Sequence, residues 1–202
     1  MSADKVVLWR HGRTASNASG LWQGQLDVPL DDVGLAQAEQ AAAVLAQLSP
    51  VRIVTSDLSR AADTAAALSR TTGVPVEVDQ GLREVHAGRW QGLSRAQILD
   101  QWPDDLTAWS AGEDVPVGGG ERRSEVAARA AAAIERHAGS TPSGVLVLTS
   151  HGGALRGAVA HLLGLPTGTW GSFGGLRNCH WGVLVSGRHG WYVDAWNLSA
   201  GS

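Results

Sequence analysis

Cysteine is almost missing from this chain. Cys179 is the only one in 202 residues, which excludes an internal disulfide framework and a Cys-rich zinc module. Lysine is just as scarce: of sixteen basic side chains only Lys5 is Lys and the rest are Arg, so any anion site here is made of forked guanidinium groups. A large excess of one sign is absent too. Sixteen basic against nineteen acidic residues give a net charge of −3, which argues against a protein that wraps nucleic acid or coats an anionic membrane. Long apolar runs are lacking: residues 41–46 and 130–134 fall far short of the ~20 residues a bilayer requires. Val6-Val7-Leu8-Trp9 is likewise too short for the apolar region of a signal peptide. These absences predict a cytoplasmic protein with no membrane partner. The length suits a single domain, residues 1–202, and such a chain buries about 70% of the surface it exposes unfolded, enough for a core without staples.

What is present is an alternation. Segments 5–9, 51–55, 75–79 and 145–149 read as strands apolar enough to be buried on both faces, and 180–186 and 191–195 read as two more, separated by the turn-prone Gly187-Arg188-His189-Gly190. Between them Leu35, Ala38, Ala42, Leu45 and Leu48 fall at helical spacing behind Asp31 or Asp32 as N-cap. Leu58, Ala61, Ala65 and Leu68 form a second stripe, capped by Ser56 or Asp57. Val126, Ala130 and Ile134 mark a third helix, and Ala154, Ala158 and Leu162 a fourth. This pattern predicts an α/β protein, a three-layer α/β/α sandwich with a mostly parallel central sheet. Residues 94–121 break the alternation and are expected to form an irregular cap, and residues 198–202 are expected to be disordered.

Ligands of an open α/β sheet bind beyond the carboxyl ends of its strands. Arg10 and His11 directly follow the first predicted strand, Arg60 lies five residues past the second, Glu84 five past the third, and His151 two past the fourth. Turn and cap residues would be commoner there. The set offers guanidinium forks for a phosphate, a nucleophilic imidazole, a second imidazole and a carboxyl for proton transfer. Arg60 would sit in the first turn of a helix, where the dipole disfavours a cation by roughly 0.3–1 kcal/mol unless an anion lies between them. Blander readings pair Arg60 with Asp57 or Asp63, pair Glu84 with Arg83 or Arg89, and pack both histidines into the core. The flanking Gly12, Gly152 and Gly153, which let backbone approach a ligand, favour a site. His86, His137, His161, His180 and His189 lack that setting and read as surface or supporting residues. Trp22, Trp90 and Trp109 read as core packing, with a pocket wall as the alternative.

The stretch Leu8-Trp9-Arg10-His11-Gly12-Arg13-Thr14-Ala15-Ser16-Asn17 resembles the signature of the histidine phosphatase superfamily, the phosphoglycerate-mutase-like enzymes. Asp27-Val28-Pro29-Leu30 with Gly34 and Gln37-Ala38, Ser56-Asp57-Leu58-Ser59-Arg60-Ala61, Leu82-Arg83-Glu84 and Ser150-His151-Gly152-Gly153 resemble the family's further motifs, in its order. The resemblance implies that His11 attacks phosphorus and becomes a phosphohistidine. It implies that Arg10, Arg60 and His151 hold the equatorial oxygens, with Asn17, Gln23 and Gly152 as further substrate contacts, and that Glu84 protonates the leaving oxygen. No metal and no cofactor are expected, since two Arg and one His supply the positive charge. His86-Ala87-Gly88-Arg89-Trp90-Gln91-Gly92-Leu93 and Gly119-Gly120-Glu121 look like the phosphatase branch, especially the glucosyl-3-phosphoglycerate phosphatases, whereas Ala154-Leu155-Arg156-Gly157 looks like the mutases. The expected activity is hydrolysis of a small phosphomonoester, a phosphoglycerate derivative or sugar phosphate. A cofactor-dependent mutase and a silent phosphate-binding module are the alternatives. A homodimer is a further expectation, with the final strands as its pairing edge.

Overall fold

The computed structural model describes residues 3–188 and 190–201; His189 and Ser202, on which the surface and terminal-disorder expectations partly fall, lie outside the described residues. Six strands, β1 (Lys5–Arg10), β2 (Pro50–Thr55), β3 (Val76–Val78), β4 (Val145–Ser150), β5 (Trp181–Gly187) and β6 (Gly190–Leu198), form one sheet in the order β3-β2-β4-β1-β5-β6. The first four run parallel, and β5 and β6 add an antiparallel edge. The helices are α1 (Ala15–Ala18), α2 (Asp32–Leu45), α3 (Ser59–Thr72), α4 (Arg95–Gln101), α5 (Pro103–Ser110), α6 (Arg123–Ser140) and α7 (Gly152–Leu162). No helix among the described residues is long and apolar enough to cross a membrane.

Period-two alternation builds the layers. Val6 and Leu8 of β1 face one side with Val54, Leu146 and Leu148, against Val126, Ile134, Leu155 and Val159 of α6 and α7. Val7 and Trp9 face the other side with Ile53 and Val147, against Ala38, Leu45, Ala65 and Leu68 of α2 and α3. Both strand faces are therefore apolar, as a sheet covered on two sides demands, and each fully buried large side chain contributes about 1.5–3 kcal/mol.

Four expectations need correcting. Strand β3 is a three-residue edge with Val78 61% exposed, not a strand buried on both faces, because only β2 pairs with it. Helix α3 takes no side-chain cap from Ser56 or Asp57. Asp57 is committed to Arg83, and Ser56 Oγ lies 2.9 Å from His151 Nε2. Residues 94–121 are not irregular. Ser94 and Gln97 form a capping box that starts α4, and Pro103 stands at the first position of α5, where its missing N–H is harmless. This helical pair closes a small core of its own, with Trp90, Ile98, Leu106 and Val117 buried in it. At the other end of the chain, Leu198 still pairs with Trp181, so the ordered strand reaches further than expected.

Candidate active site

The parallel strands β1, β2 and β4 stop at one edge, and a turn after β3 brings a fourth segment there. A cavity of about 240 Å³ opens above it, lined by Arg10, His11, Asn17, Gln23, Arg60 and Glu84 together with Trp22, Trp109, Arg123, Gly153, Arg156 and Trp170. Six of the eight residues singled out from the sequence thus share one wall. His151 and Gly152 lie behind it. The His151 ring is fully buried, with its centroid 5.1 Å from that of His11.

His11 is held by backbone. Its Nδ1–H donates to its neighbour's carbonyl, Gly12 O, at 2.7 Å, which leaves the lone pair on Nε2. Asn178 Nδ2 donates to the carbonyls of His11 and Gly12 at 3.1 and 3.2 Å, and the N–H of Cys179 donates to the Arg10 and His11 carbonyls at 3.1 Å. Burial, then the charges of Arg10 and Arg60, push the His11 pKa well below the ordinary histidine value, so the ring is neutral at pH 7. His151 is driven down in the same direction by burial first and Arg60 next. Its Nδ1 accepts from Arg60 Nε at 3.2 Å, which places its proton on Nε2, where it donates to Ser56 Oγ.

The guanidinium groups are unequal. Arg60 is 1% exposed and donates to the carbonyls of Gly24 and Leu26, both at 2.8 Å, as well as to His151. Three of its five N–H groups are spent, so two remain for an anion. The surface pairing with Asp57 or Asp63 does not occur. Arg10 Nη1 donates to Leu176 O at 2.7 Å, while its buried Nε has no acceptor among the described residues. Neither Arg10 nor Arg60 joins any of the ion pairs found among the described residues. Burial lowers the pKa of both. Two desolvated cations beside one carboxylate make a hollow that favours an anion.

Glu84 pairs with neither Arg83 nor Arg89. Its carboxylate accepts from the N–H groups of Val85, Gly153 and Ala154, each at 2.9 Å, at the N-terminal end of α7. The three glycines are also fixed by close approach of the protein itself. A Cβ on Gly153 would meet Glu84 Oε1 at 2.6 Å, one on Gly152 would crowd Arg10 Nε at 3.3 Å, and one on Gly12 would strike Gly34 O at 2.5 Å. Asn17 closes a capping box with Thr14 and accepts from Asn178 Nδ2 at 3.1 Å. Gln23 Oε1 is buried without a partner among the described residues.

Sequence reasoning missed the supporting residues. Arg129 of α6 donates to the carbonyls of Gly81, Arg83 and Glu84 and pairs with Glu121, stapling the loop that carries the carboxylate. Asn178, Ser56 and the pocket cations Arg123 and Arg156 were also missed. Of these only Ser56 lies at a predicted strand end, where it reads as a helix cap, and the three-dimensional neighbours of all of them give them their role. His180, in contrast, points away: its Nδ1 meets Asn197 O at 3.0 Å. Trp22 and Trp109 do line the cavity, with ring centroids 4.8 Å apart, whereas Trp90 is wholly buried beneath them.

Residues 6–199 match the histidine phosphatase superfamily (branch 1), and the chain belongs to it. Within that family, it is 41% identical to the glucosyl-3-phosphoglycerate phosphatase of Mycobacterium tuberculosis, over 99% of this chain and 97% of that protein. It is 33% identical to the metal-independent phosphoserine phosphatase of Arabidopsis thaliana, over 96% of this chain and 81% of that one. A solved structure of a mycobacterial glucosyl-3-phosphoglycerate phosphatase with VO3 superposes with a TM-score of 0.91 at 42% identity, covering 97% of this chain and 100% of the other.

Proposed function

We propose that this enzyme hydrolyses a small phosphorylated metabolite, a phosphoglycerate derivative or sugar phosphate, through a phosphohistidine on His11. The observation that carries the reading is the buried His11 ring, its Nδ1–H fixed on Gly12 O so that Nε2 carries the lone pair, beside the guanidinium groups of Arg60 and Arg10, which have no carboxylate partner among the described residues. Nε2 attacks phosphorus in line as the P–O bond to the leaving group breaks. Glu84 gives that oxygen a proton. Arg10 Nε and the two remaining N–H groups of Arg60 bind the equatorial oxygens, each charge-assisted bond contributing about 1.5–3 kcal/mol. His151 exchanges Ser56 Oγ for a phosphoryl oxygen, and Asn17, Gln23 and Gly152 support the same group. Glu84, now a carboxylate, takes a proton from the water that cleaves the P–N bond, and phosphate leaves with Nε2 free.

The experiment is hydrolysis of p-nitrophenyl phosphate by the wild type and His11→Ala in excess EDTA, with products of phosphoglycerate esters followed by ³¹P NMR. Wild-type activity persists in EDTA and releases inorganic phosphate, and His11→Ala loses a factor on the order of 10³ to 10⁶. Activity that survives the substitution removes the nucleophile. Phosphate that migrates to a second hydroxyl instead of being released supports the mutase.

A further inference from the structure

The carboxylate that the proposed mechanism uses twice for proton transfer lies farther from regular structure than its neighbours. Arg10 ends β1, His11 and His151 directly follow β1 and β4, and Arg60 lies in the first turn of α3. Glu84 comes six residues after Val78, the last residue of β3, in a loop that the sheet does not hold. What holds that loop is α6. Arg129, Ala133, Arg136 and His137 recur at the spacing of one helix face, and all four meet residues 79–84. Arg136 and His137 pair with Asp79, a Cβ on Gly81 would stand 3.2 Å from the Ala133 Cβ, and Leu82 is buried in one core with Ile134.

Arg129 grips the end of the loop that bears the carboxylate. Nη1 donates to the carbonyls of Gly81 and Arg83 at 3.0 and 2.6 Å, and Nη2 donates to Glu84 O at 2.8 Å. Nε and Nη2 also donate to the two Glu121 oxygens at 2.7 and 2.8 Å. All five N–H groups are therefore engaged, and Arg129 does not line the cavity, so it is no binding site for an anion. Glu121 neutralises the guanidinium and accepts from the His86 N–H at 2.7 Å, so the chain is clamped on both sides of Glu84. Gln25 Nε2 gives Glu84 O a second donor at 3.0 Å.

We infer that Arg129, neutralised by Glu121, is the positioning residue that aims the Glu84 carboxylate at the leaving oxygen, acting on the proton transfers and not on phosphate binding. The inference rests on the reading of Glu84 as the proton donor. Its selectivity has a physical cause. Without the guanidinium three loop carbonyls turn to water and the loop loses its single conformation. Arg10, Arg60 and His151 are held instead by Leu176, by Gly24 and Leu26, and by Ser56, and keep those bonds. An acid displaced by about 1 Å costs on the order of 10²-fold in rate.

The test measures single turnovers, with enzyme in excess, of two esters by the wild type, Arg129→Gln, Arg129→Lys and Glu121→Gln. The esters are 3-phosphoglycerate, whose alkoxide needs a proton to leave, and p-nitrophenyl phosphate, whose phenolate does not. Arg129→Gln is expected to slow glycerate release about 10- to 100-fold. Nitrophenolate release and the inhibition constant of inorganic phosphate are expected to stay within about threefold of the wild type. Arg129→Lys, with three donors and no fork, recovers part of the glycerate rate. Glu121→Gln shows the same leaving-group selectivity in milder form, and carries the comparison if Arg129→Gln does not fold. In the double variant the two losses do not add, because the pair acts as one unit. Equal loss on both esters, a phosphate constant that weakens in step, or an unchanged glycerate rate overturns the inference. Failure of the underlying reading looks different: Glu84→Gln itself then shows no difference between the two leaving groups, and the inference falls with it.

Discussion

In the proposed mechanism Glu84 has two tasks in one turnover, and they can be separated by the choice of leaving group. An alkyl oxygen needs a proton to depart, whereas p-nitrophenolate leaves without one. Hydrolysis of the phosphohistidine needs a base for either ester. In Glu84→Gln the amide oxygen can take the place of Oε1 as acceptor for the Val85 and Ala154 N–H groups, the Gly153 N–H loses its acceptor, and the side chain no longer exchanges protons. With an alkyl phosphate the variant should lose about 10²- to 10⁴-fold in rate and show no burst. With p-nitrophenyl phosphate it should release close to one equivalent of nitrophenolate rapidly and then turn over slowly. Stopped-flow absorbance reads both phases. A steady trace without a burst, at a rate near that of the wild type, assigns the proton transfers elsewhere.

At the scale of elements, the turn after β1 is set by the first turn of α2. Gly12 and Gly34 face each other so closely that a Cβ on Gly34 would stand 2.0 Å from Arg13 O and 2.8 Å from Arg13 N. Helix propensity favours Ala over Gly at such a position by about 1 kcal/mol, but the contact is with backbone, and overpacking of this kind typically costs about 1–3 kcal/mol. Gly34→Ala should therefore destabilise the protein, seen as a lower urea midpoint, and should also slow turnover because the displaced strand end carries His11. A more stable variant would show that the turn yields without strain. The opposed glycines illustrate what could and could not be read in the chain. The strand ends bearing Arg10, His11, Glu84 and His151 were legible because periodicity locates strands and topology sends their ends to one edge. The partners of those residues were not, since Gly34, Arg129 and Asn178 act through contacts between distant segments. Helices α4 and α5 escaped for a different reason. Each is short, and Trp102 and Pro103 break the apolar period between them, although the Ser94–Gln97 capping box was open to view.

At the scale of the whole molecule, the two buried histidines of the cavity's phosphate end, His11 and His151, make stability depend on pH in a window that follows from their shifts. Both His11 and His151 are held well below the ordinary value of 6.5, chiefly by burial. Above about pH 6.5 the rings are neutral in the folded and unfolded chains alike and contribute no pH dependence. Below it the unfolded chain binds two protons that the folded one refuses, so stability must decline with falling pH, at a slope approaching about 2.7 kcal/mol per pH unit for the two groups together. The paired carboxylates Asp57, Asp79 and Glu121 are also held below their ordinary values, so their contribution is present above the ordinary carboxylate range and is lost only at lower pH. Urea midpoints measured from pH 7.5 down to pH 5 should fall steadily in the wild type. Replacing His11 or His151 with Asn should roughly halve the slope while leaving the more acidic loss in place. If both variants keep the full wild-type slope between pH 6.5 and 5, the rings are not the groups that resist protonation. The neutral nucleophile on which the chemistry depends would then lose its physical basis.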